Sequence, residues 1–289
     1  MALEQAQPGL RAPQRRRRHV WEPPLWALVA LGAVYVAALA ALIFLPDGTL
    51  LDRLRALDGG ICAQLPTHSF YPDGQQLPLC ARNTGVYLGF ALGFVTLLGA
   101  GRVRASRLPG LPVALALVGL VGLMAVDGFN SLFLDLGLPH LYQPQNMLRL
   151  LSGLGTGVAM VAFITPVTNG LLWRREDVRS SFRSFAQLAV VAPLLLLALL
   201  AVGSQTAWLL YPIAIVSSLG LMLALTLVNL VFLISFSPLI GRFERWRQVL
   251  PAFTLAVTLA VIELTLLFKL KLAVLHALAL QLPPTTPLR

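Results

Sequence analysis

Residues 111–134, LPVALALVGLVGLMAVDGFNSLFL, decide the fold. Asp127 is the one charged side chain in the run. An α-helix rises about 1.5 Å per residue and the hydrocarbon core of a bilayer is about 30 Å thick, so an apolar helix of this length crosses a membrane. Working outward, comparable runs lie at 25–45, 84–101, 147–172, 185–203, 208–236 and 250–275, giving seven spans. The 289-residue chain is 57% hydrophobic and 12% charged, with a mean hydropathy of +0.78. Soluble domains carry about 25% charged residues. The expected fold is therefore all-α, a polytopic transmembrane bundle of about seven spans in the cytoplasmic membrane, with lipids as its immediate partners.

The formal charge of +10 matters less than its placement. Arg15 to Arg18 precede the first span; Arg102, Arg104 and Arg107 follow the second; Arg174, Arg175, Arg179 and Arg183 follow the fourth; Arg242, Arg245 and Arg247 follow the sixth. Every second connection is thus arginine-rich, which puts the amino terminus and those loops in the cytoplasm and the carboxyl terminus outside. Nucleic acid is not an expected partner. The first span, despite Ala38-Leu39-Ala40, reads as a retained anchor because its basic flank lies far from the start. The chain divides into a disordered basic tail (1–23), a four-span core (24–172) with an outer loop at 46–83, a three-span extension (173–276) and a second disordered tail (277–289).

The outer loop holds both cysteines of the chain, Cys62 and Cys80. Facing an oxidising compartment, they are expected to form a disulfide, which closes a loop worth about 3 kcal/mol. Redox and metal work are the competing readings. His68 lies between the cysteines, but the paired C-x-x-C spacing of a metal site is missing, and no metal is expected.

Polar residues recur at helical spacing near this loop. The second span reads Gly85-x3-Gly89-x3-Gly93, a face that admits another backbone, with Arg82 one turn ahead. The fourth span aligns Asn146, Arg149, Gly153, Thr156 and Gly157. In the third span Asp127, Asn130 and Ser131 share one face, with Asp127 on the order of 10 Å inside the outer end. A carboxylate at that depth costs several kcal/mol unless it is paired, and Arg149 is the expected partner. Two helix amino termini, each partially positive, would meet Arg82 and Arg149 under the loop. That setting suits the anionic head group of a lipid or small molecule. Arg82 and Arg149 would hold the anion, Asp127 would serve as acid, base or ion partner, Asn130 and Asn146 would orient them, and Ser131 and the Tyr87 hydroxyl lie within reach. The competing structural reading is a buried Asp127–Arg149 pair that only fixes helix register.

Glu263, near the middle of the seventh span, is a candidate for a proton or ion path. Lys269 and Lys271 beyond it are expected to snorkel to the outer interface. Asn229, Ser217, Ser218 and Gln187 read as interhelical hydrogen bonds. Several chemistries are missing from the sequence: there is no G-x-x-x-x-G-K, H-E-x-x-H, G-x-S-x-G or Rossmann fingerprint. No cofactor can be named.

The run Cys62-x-Gln64-x-Pro66-x-x-Ser69-Phe70, then Pro78-x-Cys80-Ala81-Arg82-x-Thr84-Gly85-x-Tyr87-x-Gly89, Asp127-Gly128-x-Asn130-Ser131 and Asn146-x-x-Arg149-x-x-x-Gly153, resembles a prokaryotic membrane family. That family is catalogued as domain of unknown function two-zero-eight-five, and the resemblance covers about residues 55–170. Its members look like C-H-Q-x-P-x-R-S-F and C-A-R-C-T-G. This chain departs from them at Ala63, His68 and Asn83, so a metal or dithiol site implied by the fuller pattern lacks two ligands here. The resemblance brings no agreed activity, and the last three spans extend beyond it.

Three functional readings remain at this level. The first is a membrane protein with an outer-facing polar site that binds an anionic lipid or small molecule, with processing or movement left open. The second is a non-catalytic accessory or assembly subunit of a larger membrane complex. The third is a secondary transporter using Asp127 and Glu263. Asp127→Asn separates them: an enzyme loses turnover but keeps binding, a transporter loses flux, and an assembly subunit is indifferent.

Overall fold

A computed structural model of the protein describes Pro24 and residues 48–281. The apolar run 25–45, the tail 1–23 with Arg15 to Arg18, and residues 282–289 lie outside the described residues. Helix α1 (Leu50–Asp58) opens on a capping box. The Thr49 hydroxyl accepts the Asp52 N–H and the Asp52 carboxylate accepts the Thr49 N–H at 2.9 Å, which satisfies donors a helix start leaves bare. Two proline-led 3-10 turns, Pro66–His68 and Pro72–Gly74, shape the loop that follows. The remaining helices are α2 (Ala81–Gly99), α3 (Leu111–Asp135), α4 (Asn146–Leu172), α5 (Phe185–Ala189), α6 (Ala192–Gly203), α7 (Leu210–Ser235) and α8 (Trp246–Gln281).

Among the described residues, five helical segments are long and apolar enough to cross a membrane: α3, α4, the α5–α6 pair, α7 with the turn before it, and α8. Helix α2, which occupies the expected span 84–101, is not one of the five, and it opens on Arg82, Asn83 and Thr84. The all-α expectation needs one correction. Strand β1 (Ala105–Arg107) pairs in parallel with β2 (Asp177–Ser180), because two connections at the same end of the bundle lie side by side and satisfy each other's backbone.

Helices α2 and α4 run parallel at the centre. A Cβ placed on Gly85 would stand 2.3 Å from the Leu150 carbonyl oxygen, and one on Gly153 2.3 Å from that of Arg82. Gly89 and Gly157 are closed in the same way by Leu154 and Val86. Only hydrogen fits at these crossings, so backbone contact replaces side-chain interdigitation. Helix α7 meets α2 through a further close approach, with Gly220 against the Tyr87 carbonyl. The apolar window of α4 is 67% buried and that of α3 only 17%, so α4 is the axis and α3 a peripheral helix.

The two ends of the bundle differ. At one end the three arginine-rich connections converge: β1 pairs with β2, Trp173 bridges to Phe243, and the Arg104 guanidinium lies 3.8 Å over the Trp173 ring. Trp246 meets Trp173 edge-on at 4.6 Å, and Asn169 donates to the Val103 and Ala105 carbonyls. At the other end lies the loop between Cys62 and Cys80.

Candidate functional site

At the loop end, α2, α3 and α4 bring five of the sequence-predicted residues into one hydrogen-bonded cluster. Arg82 stands in the first turn of α2 and donates from Nη2 to Asp127 Oδ2 at 2.5 Å and to Ser131 Oγ at 3.2 Å. Arg149, one turn into α4, donates from Nη1 to Asn146 Oδ1 at 2.7 Å and from Nε to Ser131 Oγ at 3.3 Å. Ser131 is therefore the hinge of the cluster. It accepts from both guanidiniums and donates to the Asp127 carbonyl one turn earlier.

Asp127 thus pairs with Arg82 rather than with the expected Arg149. The reason is lateral: both arginines begin helices at the same level, and the parallel α2–α4 contact turns the Arg82 side chain toward α3. Arg149 is 4% exposed, and among the described residues no carboxylate lies within ion-pair distance of it. Asp127 and Asp135 act on it only across a gap. A buried guanidinium bonded only to neutral oxygens bears a desolvation cost of several kcal/mol, and it leaves the Arg82–Asp127–Arg149 group with surplus positive charge. The Arg82 Nε is buried without a partner among the described residues.

Other expected residues take different roles. Asn130 does not orient the charges: its amide donates to the Tyr142 carbonyl and accepts from the N–H groups of Leu141 and Tyr142, so it shapes the α3–α4 turn. That turn delivers Tyr142, which the sequence pattern does not single out. The Tyr142 hydroxyl donates to Asp127 Oδ1 at 2.7 Å, and burial together with this bond raises the phenol above its ordinary range. Asn146 ties the loop down by donating to the Ser69 and Thr67 carbonyls. His68 meets Asp135 at 3.2 Å, and burial, followed by the nearby Arg149 charge, lowers it toward the neutral imidazole.

Two expectations are not met here, and Glu263 lies apart from this site. Tyr87 points elsewhere, its backbone against Gly220 and its ring within the field of Asp58, Cys62 and Cys80. Glu263 accepts from Asn229 Nδ2 at 3.0 Å in a separate cavity of about 650 Å³ between α7 and α8. Cys62 and Cys80 are free thiols, which corrects the expected disulfide. The Cys62 sulfur instead accepts the Cys80 backbone N–H at 3.2 Å, so the two residues adjoin without a bond.

Beside the cluster lies an apolar groove of about 570 Å³ between α3, α4 and α6, walled by leucines that include Leu120, Leu123, Leu151 and Leu196. Its polar rim is Asp127, Tyr142 and Ser152; the Arg82 guanidinium stands one hydrogen bond behind it on Asp127, and the Arg149 guanidinium lies further in on Ser131 and Asn146. Among the described residues, no group of three or more His, Cys, Asp or Glu side chains is placed to hold a metal.

These features define a helical membrane protein with a buried charged cluster at one end of its central helix pair. Residues 62–163 match the family model described as Predicted membrane protein (DUF2085), inside the stretch that carries the resemblance. The chain is also 28% identical over 115 residues to Uncharacterized protein MJ1492 of Methanocaldococcus jannaschii, an overlap covering 40% of this chain and 68% of that one. No solved structure matches it significantly.

Proposed function

We propose that this is an amphiphile-binding protein of the cytoplasmic membrane whose cluster takes an anionic head group while the apolar groove takes the chain behind it. One observation carries the reading: among the described residues Arg149 is buried with no acid beside it, next to a leucine-walled groove. In the unliganded cluster Asp127 acts as resident counter-ion to Arg82. An incoming phosphate or carboxylate replaces it there, with Ser131 and Tyr142 as further donors. Asp127, freed from the guanidinium, is then the group positioned to accept or return a proton. The arginine-rich end lies in the cytoplasm and the cluster opens outward, in accord with the positive-inside rule.

The test is lipid and small-molecule mass spectrometry on the purified protein, comparing wild type with Arg149→Ala. Wild type is expected to retain an anionic amphiphile that the variant lacks. Identical bound sets in the two samples would overturn the reading.

A further inference from the structure

A second group of reactive side chains sits apart from the charged cluster. Asp58, the last residue of α1, is 0% exposed. Its Oδ2 accepts the Ser218 hydroxyl of α7 at 2.6 Å, whereas Oδ1 is buried with no partner among the described residues. Its backbone carbonyl accepts the N–H of Cys62, four residues on, at 3.1 Å, so the thiol is tied to the turn that follows the carboxyl. Across from it, the N–H of Cys80 at the mouth of α2 points at the Cys62 sulfur. Lys271 of α8 donates to the Cys62 carbonyl at 2.9 Å and closes the far side. Cys62 is 2% exposed, whereas Cys80 is partly open.

This pairing is lopsided in a useful way. A hydrogen bond from the Cys80 thiol, joined by the Cys80 N–H, lowers Cys62 against the opposing effect of burial; the same bond raises Cys80. The better thiolate is thus the buried sulfur and the accessible sulfur carries the proton. Burial raises Asp58 to about 7, so near neutral pH it can take up or release a proton.

We infer that Cys62 and Cys80 form a dithiol centre that exchanges with low-molecular-weight disulfides, with Cys80 as the entering sulfur and Cys62 as the resolving sulfur. In the first step the Cys80 proton passes to the Cys62 thiolate. The Cys80 thiolate then attacks the external disulfide, its S–S bond breaks, and one thiolate leaves. In the second step the thiolate already released takes the Cys62 proton, and the Cys62 thiolate attacks the Cys80 sulfur and expels the second thiolate. Two electrons move from the protein dithiol to the external disulfide, which leaves as one thiol and one thiolate. Dithiothreitol reverses the sequence.

The experiment uses the full-length protein in detergent, with oxidised glutathione as oxidant and intact mass plus maleimide labelling as readouts. Wild type is expected to lose two hydrogens without retaining an adduct and to regain both thiols in dithiothreitol. Cys62→Ser is expected to accumulate one glutathione adduct on Cys80, and Cys80→Ser to leave Cys62 unmodified over the same interval. Inert thiols in wild type, a bridge that reductant does not open, or adducts appearing equally in both serine variants would each overturn the centre.

Discussion

Asp127 and Asp58 are the two described carboxylates buried near the loop end, at 4% and 0% exposure, and they are solved in opposite ways. Asp127 has a guanidinium on one oxygen and a phenol on the other. Asp58 has a single hydroxyl, and among the described residues its other oxygen is bare. Burial penalises the charged form of Asp58, which has no cation beside it among the described residues, whereas the Arg82 guanidinium pairs with Asp127. Similar burial therefore leaves Asp127 held in an ion pair and Asp58 without one among the described residues.

Arg82→Ala probes this contrast with the largest effect. Removing the cation leaves the buried Asp127 charge without its ion pair, at a cost of about 3–5 kcal/mol. Unfolding in detergent should register that loss, and Arg82→Ala combined with Asp127→Ala should recover a good part of it. A single variant as stable as wild type would mean that Asp127 needs no guanidinium. Gly153→Ala comes next, because α2 carries Arg82 to Asp127 and its N-cap Cys80 to the Cys62 sulfur. A Cβ there stands 2.3 Å from the Arg82 carbonyl, so α2 and α4 must separate, at about 1–3 kcal/mol. The same shift should loosen both sites together, seen as faster maleimide labelling of Cys80 alongside lower stability. Loss of only one of these would show that the helix pair does not couple the two regions.

How much of this is legible in the sequence follows from the same chemistry. Runs such as 111–134 and 147–172 announce themselves because a bilayer demands length and apolarity over more than twenty positions. Steps of three and four then place Asp127 with Ser131, and Arg149 with Asn146, on single helix faces. What such spacing leaves open is rotation between helices, and so it points Arg149 at Asp127 when Arg82 holds it. Asp58 is not visible at all. It ends a short segment, LLDRLRALD, that reads as a solvated turn of helix, and only packing under α7 and α8 buries it. Tyr142 lies in a turn with no periodicity, and β1 and β2 are too short and polar to signal a pairing made wholly by tertiary proximity. The expected cysteine bridge rests on compartment alone, whereas the local geometry assigns the Cys62 sulfur a backbone donor.

The mildest test is on pH, and its sign follows from the direction in which Asp58 is displaced. Its folded value, about 7, lies above the unfolded 3.8, with burial the main cause, the Ser218 bond opposing it and the Cys62 charge adding to it. The groups facing it are Ser218 from α7, Cys62 from the turn and Tyr87 from α2. Between those two values the folded chain keeps a proton that the unfolded chain has released. Its contribution to stability is therefore complete below about pH 4, declines as pH rises toward 7, and is flat above that. Linkage limits the slope to about 1.4 kcal/mol per pH unit for one proton. The amide in Asp58→Asn has no proton to lose, so the stability difference between wild type and this variant should shift in favour of the variant from about pH 4 to 7 and then level off. A wild type that instead gains on the variant over this range would give Asp58 a cationic partner, and the distinction from Asp127 would disappear.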